Sequence, residues 1–102
     1  MEKTLRFYFA DRKLEKLYTD EKDAHKYAEG VVDAFFDVVA QIGAARDERD
    51  LYAMKGLRYE KLKGKRSYQR SLRLNNQFRL ILEREEDEDG KLFRITAIED
   101  YH

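Results

Sequence analysis

The chain has 102 residues, and its 21 basic and 21 acidic side chains give a formal net charge of zero. This length suits one folded domain, expected over residues 1–102, and a hydrophobic content of 42% excludes an extended disordered chain. The longest apolar stretches are too short to span a bilayer, and the chain contains no cysteine for disulfide or thiolate chemistry. With no signal-peptide pattern at the N-terminus, we expect a cytoplasmic protein without membrane contact.

The first predicted elements are a short strand and a short helix. Apolar residues alternate with polar or amphipathic ones from Leu5 to Phe9, a spacing that predicts a half-buried strand over residues 4–9. Asp11 is a suitable N-cap for a short helix over residues 12–18, in which leucines recur at helical spacing.

A long helix is predicted to follow. Asp20 is a plausible N-cap for it, and Gly43 is a natural stop. Gly30 lies inside this span and predicts close packing there, because an internal glycine costs about 1 kcal/mol of helix stability relative to alanine. The apolar stripe that faces the core comprises Ala24, Tyr27, Ala28, Val31, Phe35, Val38, Val39 and Ile42.

The second half of the chain is dominated by strand signals. A polar linker over residues 44–50 and one helical turn at 51–54 precede alternating segments at 67–74, 77–83 and 91–99. Turn residues separate these segments, at Asn75–Asn76 and at Asp87–Gly90. The predicted fold is therefore α+β with the order β-α-α-β-β-β, a small, mostly antiparallel twisted sheet packed against two N-terminal helices.

Charge is strongly segregated along this second half. A run of acids fills the segment from Glu83 to Asp89, whereas the preceding basic segment contains the single acid Glu60. A basic field interleaved with aromatic residues favours binding of a polyanion such as RNA, although a solvated charged face is the alternative. The nine basic residues are Lys55, Arg58, Lys61, Lys63, Lys65, Arg66, Arg70, Arg73 and Arg79.

The order of motifs in this half resembles the RelE/ParE superfamily of bacterial toxins, and in particular its HigB-type branch. The matching features are a Leu-Lys-Gly turn at residues 62–64, a strand arginine at Arg79, and the terminal residues Asp100, Tyr101 and His102. Each motif is weak alone, but their order and their positions on strands agree. The resemblance covers nearly the whole chain.

The resemblance implies a toxin of a toxin–antitoxin pair that cleaves mRNA on the ribosome. Cleavage would use the ribose 2′-hydroxyl as nucleophile and no metal or other cofactor, and a cognate antitoxin would silence it. Ribosome, mRNA and antitoxin are the implied partners. One alternative is a ParE-like inhibitor of DNA gyrase, because one scaffold can host both activities. Another is a degenerate, non-catalytic module that binds an antitoxin.

The terminal residues are the first candidates for proton transfer. His102 titrates near neutrality, which suits a general acid or a phosphate ligand. Asp100 has the same strand parity as His102 and can orient it or act as a base. Tyr101 can stack on a base or hydrogen-bond a phosphate, with packing at the sheet edge as the alternative.

Cationic candidates precede them. Arg79 matches the strand arginine of the family and suits the scissile phosphate, whereas the alternative is a salt bridge with Glu83 or Glu99. Lys63 matches the basic residue of the family's turn. The residues expected to lie along RNA are Lys61, Lys65, Arg66, Arg70 and Arg73.

Glu60 marks a departure from the family pattern. The family often has histidine two residues before the turn leucine, and here the position is Glu60. A carboxylate there is either the general base or a sign of lost nuclease activity, and the sequence leaves both readings open. His25 is interpreted as a surface or partly packed residue of the long helix.

Overall fold

The computed structural model describes residues 4–100 of the chain. Within this range the chain alternates between one strand, a block of helices and a block of strands. The elements are β1 (Arg6–Phe9), α1 (Arg12–Asp20), α2 (Val31–Ala44), α3 (Glu48–Ala53), β2 (Glu60–Lys61), β3 (Gln69–Arg73), β4 (Phe78–Asp87) and β5 (Gly90–Asp100). Single 3-10 turns lie at Ala24–Lys26, Lys55–Leu57 and Gly64–Arg66.

The strands form one five-stranded sheet with the order β1-β5-β4-β3-β2. β1 runs parallel to β5, and the other three pairings are antiparallel. A parallel neighbour needs a long crossover, which the intervening helices provide. The predicted α+β architecture with a mostly antiparallel sheet is confirmed.

The hairpin between β4 and β5 forms at the predicted acidic turn. Asp87 pairs with Gly90, and the Oδ1 atom of Asp87 accepts a hydrogen bond from the backbone N–H of Asp89 at 2.9 Å. Gly90 has a φ of +110°, which a residue with a Cβ atom rarely adopts. Both strands continue beyond their predicted ends, so this hairpin is the longest paired segment of the sheet.

The prediction of one long helix beginning after Asp20 was wrong. Asp20 is the last residue of α1, and the chain then passes through left-handed backbone at Glu21 and Asp23. Gly30, with a φ of +82°, precedes α2 instead of lying inside it. Glycine tolerates this conformation, so it allows the sharp entry into α2 that helical periodicity alone does not reveal. His25 lies in the intervening 3-10 turn and is exposed.

The predicted polar linker also contains regular structure. α3 begins at Glu48, earlier than the single turn expected at residues 51–54, because the side chain of Asp47 caps it by accepting the backbone N–H of Arg49 at 2.8 Å. A two-residue strand, β2, was not predicted. It pairs with β3 at the edge of the sheet, where Glu60 lies opposite Ser71.

The hydrophobic core lies between the helices and one face of the sheet. From the sheet it takes Leu72, Leu80, Leu82, Phe93 and Ile95, and from the helices it takes mainly Leu14, Leu17, Phe35, Val39, Ile42 and Leu51. The alternating pattern thus buries every second residue of β3 and β4 against the helices and leaves the intervening side chains on the opposite, open face. No helix within residues 4–100 is long and apolar enough to cross a membrane.

Candidate functional site

The open face of the sheet carries a row of charged side chains across three strands. In the register, Arg73 of β3 lies opposite Arg79 of β4, and Arg79 lies opposite Glu99 of β5. The three positions alternate with the core residues Leu72, Leu80 and Ile98, so all three face away from the helices. Two arginines and one carboxylate therefore lie side by side on the open face.

A pocket of about 110 Å³ opens at the β2 side of this row. Three arginines, one glutamate and one serine line this depression, which we call the arginine pocket: Arg58, Glu60, Ser71, Arg73 and Arg79. Glu60 is exposed and Ser71 is buried. Three cations against one acid make this a site for an anion, and the planar guanidinium groups suit the oxygens of a phosphate.

Local contacts hold two of these arginines in position. The Nη2 atom of Arg79 lies 3.7 Å from Oε1 of Glu99. This contact is the salt bridge with Glu99 that the sequence offered as the alternative role of Arg79. The Nε atom of Arg73 donates to the backbone carbonyl of Asn75 at 3.3 Å, and its Nη2 atom donates to the side chain of Asn76. The predicted Asn75–Asn76 turn therefore serves as a support for the pocket arginine on β3.

The arginine pocket forms because β2 returns alongside β3. Arg58 precedes β2 and has a φ of +46°, so the chain turns sharply at this residue. The turn lets Arg58 and Glu60 line the same pocket, although they are neighbours of buried Tyr59. Sequence reasoning placed Arg58 only within the basic run and did not select Ser71 as a site residue. Ser71 could have been found from the strand pattern, because it lies two residues before Arg73 and therefore on the same face of β3.

Arg66 connects the β2–β3 loop, which comprises residues 62–68, to strand β5 on the open face. Its Nη1 and Nη2 atoms donate to the two carboxylate oxygens of Glu99 at 3.0 and 2.6 Å, and its Nε atom donates to Gln69 at 2.8 Å. The hydrogen bond from Arg66 lowers the pKa of Glu99 below its ordinary value, with a further contribution from Arg79. A single guanidinium thus bridges β3 and β5.

The other end of the open face is acidic, and three of its acids are paired with basic or phenolic groups. Arg94 donates to Glu83 at 3.1 Å, Tyr8 donates to Glu85 at 2.6 Å, and Arg6 binds Asp87. The hairpin tip at Asp87 is eight residues along β4 from Arg79, or about 26 Å at the usual rise of a strand. The acidic hairpin therefore points away from the arginine pocket.

Several predicted site residues lie away from the pocket. Arg70 is buried on the helix side, where its Nη1 atom donates to the carbonyls of Ser67 and Gln69 and its Nε atom lies 4.0 Å from Glu48. The expectation that Arg70 lies along RNA does not fit this position, because its side chain is only 7% exposed. Lys61 pairs in register with Arg70 and so shares that side of the sheet.

Lys63 and Lys65 lie on the β2–β3 loop, and both are exposed. Lys63 immediately precedes the 3-10 turn at Gly64–Arg66, next to Leu62, whose side chain is buried. Neither lysine lines the arginine pocket. The same loop carries Arg66, whose guanidinium binds Glu99 of β5.

The terminal candidates are only partly described. Asp100 lies opposite Phe78 in the register, which gives it the opposite parity to Glu99, and its Oδ2 atom accepts a hydrogen bond from Gln77 at 2.8 Å. Asp100 is not among the residues that line the arginine pocket. Tyr101 and His102 lie outside the described residues. Among residues 4–100 no group of three His, Asp or Glu side chains is arranged as metal ligands would be.

Comparison with known families identifies relatives over most of the chain. Residues 7–97 match the family model described as the RelE-like toxin of the type II toxin–antitoxin system HigB. The matched range runs from within β1 to within β5, and so includes every residue that lines the arginine pocket.

Individual proteins give the same result. The chain is 35% identical over 75 residues to Toxin HigB-1 of Vibrio cholerae serotype O1, an alignment that covers 74% of this chain and 79% of the relative. A solved structure, titled YoeB/ParE toxin from Agrobacterium tumefaciens, superposes with a TM-score of 0.53 at 13% identity and covers 97% of this chain and 99% of its own. At this identity the structural similarity concerns the fold alone.

Proposed function

This chain belongs to the HigB-like family of RelE-type toxins of type II toxin–antitoxin systems, and from that premise we propose that it is a ribosome-dependent endoribonuclease that cleaves mRNA. Cleavage proceeds by metal-independent acid–base chemistry through the ribose 2′-hydroxyl. It inhibits translation until the antitoxin, the partner that membership of a type II system implies, neutralises the toxin.

The arginine pocket on the open face is the observation that supports this proposal most strongly. Arg58, Arg73 and Arg79 converge on one small depression beside the exposed carboxylate of Glu60. Guanidinium groups stabilise the negative charge that develops on phosphate oxygens during in-line attack, and a carboxylate beside them can accept a proton. An anion site that also contains a base suits phosphodiester cleavage better than simple binding.

The proposed step needs a base, an acid and charge stabilisation. Glu60 accepts the proton of the 2′-hydroxyl as that oxygen attacks phosphorus, and the bond to the 5′-oxygen breaks. Arg79, supported by Arg73, binds the non-bridging oxygens of the scissile phosphate. His102 donates the proton that the leaving 5′-oxygen takes up, which matches the titration range of imidazole.

The remaining predicted residues take supporting roles in this proposal. Lys63 is exposed on the β2–β3 loop and contributes positive charge near the RNA backbone, together with Lys65. Tyr101 stacks on a nucleotide base. Asp100 orients the chain terminus through its bond to Gln77 and is a positioning residue rather than the base.

The activity is tested by mapping mRNA 5′ ends in a bacterial translation extract. Wild-type protein should create new ends only when ribosomes translate the message. Arg79→Gln should reduce cleavage by about 100-fold or more, as expected for loss of a group that stabilises transition-state charge. Arg49→Gln is the matched control, because Arg49 is exposed on α3, pairs with nearby Asp47 and does not line the arginine pocket.

The chemistry is tested on the message itself. A single 2′-deoxy nucleotide at the mapped position should leave the mRNA intact, because the proposed nucleophile is then absent. Glu60→Gln should abolish most cleavage, whereas Glu60→His should retain it, because histidine can also accept the proton. Cleavage of the 2′-deoxy message would contradict the proposed mechanism. No mRNA cleavage, together with gyrase-dependent DNA breaks, would replace the nuclease with a gyrase inhibitor.

A further inference from the structure

The β2–β3 loop is held over the open face by a contact that crosses the sheet. Arg66 binds Gln69 of β3 and Glu99 of β5, and β4 lies between these two strands. Its guanidinium must therefore lie above β4. On this face of β4, Ile81 is fully buried although it lies outside the core cluster on the helix side.

The contact engages all three nitrogens of the Arg66 guanidinium. Its three nitrogens donate to Gln69 and to both oxygens of Glu99, in a bidentate geometry of the strong kind. Gln69 is itself fixed, because its Nε2 atom donates to Glu83 at 3.1 Å. Arg66 is therefore committed to the protein and is poorly placed to bind RNA as the sequence suggested.

The loop has a second anchor at its start. Leu62 is buried, and its backbone N–H donates to the carbonyl of Gln69 at 3.1 Å. Three residues lie between the two anchors: Lys63, Gly64 and Lys65. Both lysines are exposed. Fixing both ends of so short a segment restricts where the exposed ammonium groups can reach.

We infer that the Arg66–Glu99 pair is a clasp that positions the β2–β3 loop, and with it Lys63, beside the arginine pocket. This inference rests on the proposed function, because the clasp acts on cleavage through Lys63 and Arg79 rather than by touching RNA. Glu99 has two tasks in this arrangement. It fixes Arg66 and, at 3.7 Å from Nη2 of Arg79, also limits the orientations of that guanidinium.

Glu99→Gln separates positioning from simple electrostatics. Removal of the carboxylate charge should strengthen RNA binding and lower KM, because an acid is lost from a basic face. The loosened loop should at the same time lower kcat by about tenfold, since loss of orientation is felt in the chemical step. A merely electrostatic Glu99 predicts a lower KM with unchanged kcat, a result that would overturn the clasp.

Loop order is measured without any reference to activity. Amide hydrogen exchange at residues 62–68 should accelerate in Glu99→Gln while protection in β4 and β5 persists. Arg6→Gln is the matched control, because it removes another open-face ion pair, with Asp87 at the hairpin tip, at the opposite end of the open face from the loop. Unchanged exchange at residues 62–68 in Glu99→Gln would refute the clasp even if wild-type protein cleaves mRNA.

A covalent substitute for the clasp completes the test. The chain contains no cysteine, so the double substitution Arg66→Cys and Glu99→Cys provides a unique pair for a short bifunctional thiol reagent. Cross-linking should restore slow exchange in the loop and recover kcat to within about threefold of wild type, because position rather than charge is what the clasp supplies. Restored loop protection without recovered kcat would overturn the positioning role. Failure of wild-type protein to cleave mRNA would instead refute the proposed function and leave the exchange result to decide on the clasp.

Discussion

The two faces of the β3–β4 pair use charged residues in opposite ways. On the helix side, Arg70 is buried among core residues and is held by carbonyls of Ser67 and Gln69 and by the charge of Glu48. On the open side, Arg73 and Arg79 line a pocket that is accessible to solvent. The same residue type thus serves the fold on one face and the proposed function on the other.

The difference follows from what surrounds each guanidinium. The helix side holds the hydrophobic core, and Tyr59, a buried member of that core, donates to Glu48 at 2.7 Å, so a polar network adjoins the apolar side chains. Burial, followed by the hydrogen bond to Glu48, raises the pKa of Tyr59 far above its ordinary value. A buried charge is costly unless it is paired and hydrogen-bonded, and Arg70 is accordingly held by two carbonyl oxygens and by Glu48. The open-face arginines instead line a pocket that a ligand can enter.

Truncation in the core on the helix side should have the largest effect on stability. Leu80→Ala removes a side chain that is fully buried between the sheet and the helices. We expect the free energy of unfolding to fall by about 3 kcal/mol, from lost burial and the remaining cavity. Chemical denaturation measures this loss, and Tyr68→Ala, at a residue that is 62% exposed, is the matched control. Equal losses in the two variants would contradict the assigned core.

Loss of the buried arginine should rank second. Arg70→Gln removes two hydrogen bonds to backbone carbonyls and the ion pair in which Nε of Arg70 lies 4.0 Å from Glu48. The expected loss is about 2 kcal/mol, because hydrogen bonds from a charged donor are at stake in a buried position. Denaturation gives the stability, and mRNA cleavage per folded molecule should be retained. If Arg70→Gln left stability unchanged and weakened RNA binding selectively, Arg70 would instead be a residue that contacts RNA.

The corresponding change on the open face should barely affect folding. Arg73→Gln removes hydrogen bonds to the solvent-facing Asn75–Asn76 turn, so we expect less than about 1 kcal/mol of destabilisation. RNA affinity should fall instead, and the slope of log affinity against log salt should decrease by about one unit, as for loss of one phosphate contact. Titration of RNA at several salt concentrations measures this. An unchanged salt slope would remove Arg73 from the phosphate site.

Acid pH should produce the smallest effect and report on Glu99. The hydrogen bond from Arg66 holds the pKa of Glu99 below its ordinary value of 4.5. A lowered folded-state pKa means that this contribution to stability is complete above pH 4.5 and is lost as the pH falls through the lower folded value. The stability difference between wild type and Glu99→Gln should therefore shrink on acidification below that range. A difference that stays constant with pH would contradict the ion pair with Arg66.

Local pattern predicted the strands well because a strand is defined by its own alternation. The segments at 67–74, 77–83 and 91–99 and both intervening turns correspond to β3, β4 and β5. The helices were harder, since the break at Gly30 depends on positive φ values that apolar periodicity does not encode. The burial of Arg70 on the helix side could have been predicted, because Arg70 lies two residues from buried Leu72 and therefore on the same face of β3.

The candidate site was predictable in its residue types and not in its grouping. Arg79 and Glu60 were selected from the sequence, and both line the pocket. Arg58 and Ser71 were not selected, because their proximity depends on how β2 turns back beside β3. The bridge between Arg66 and Glu99 spans 33 residues of sequence, and no local pattern relates the two.

The sequence by itself determined the α+β class, the alternating faces of the strands and the segregation of basic from acidic segments. These properties are local, because each depends only on neighbouring residues along one element. Only the tertiary structure decided which arginines meet in the pocket, which one is buried against the helices, and which one closes the loop over the open face. Register and loop closure join distant parts of the chain, so they are settled by packing of the whole fold.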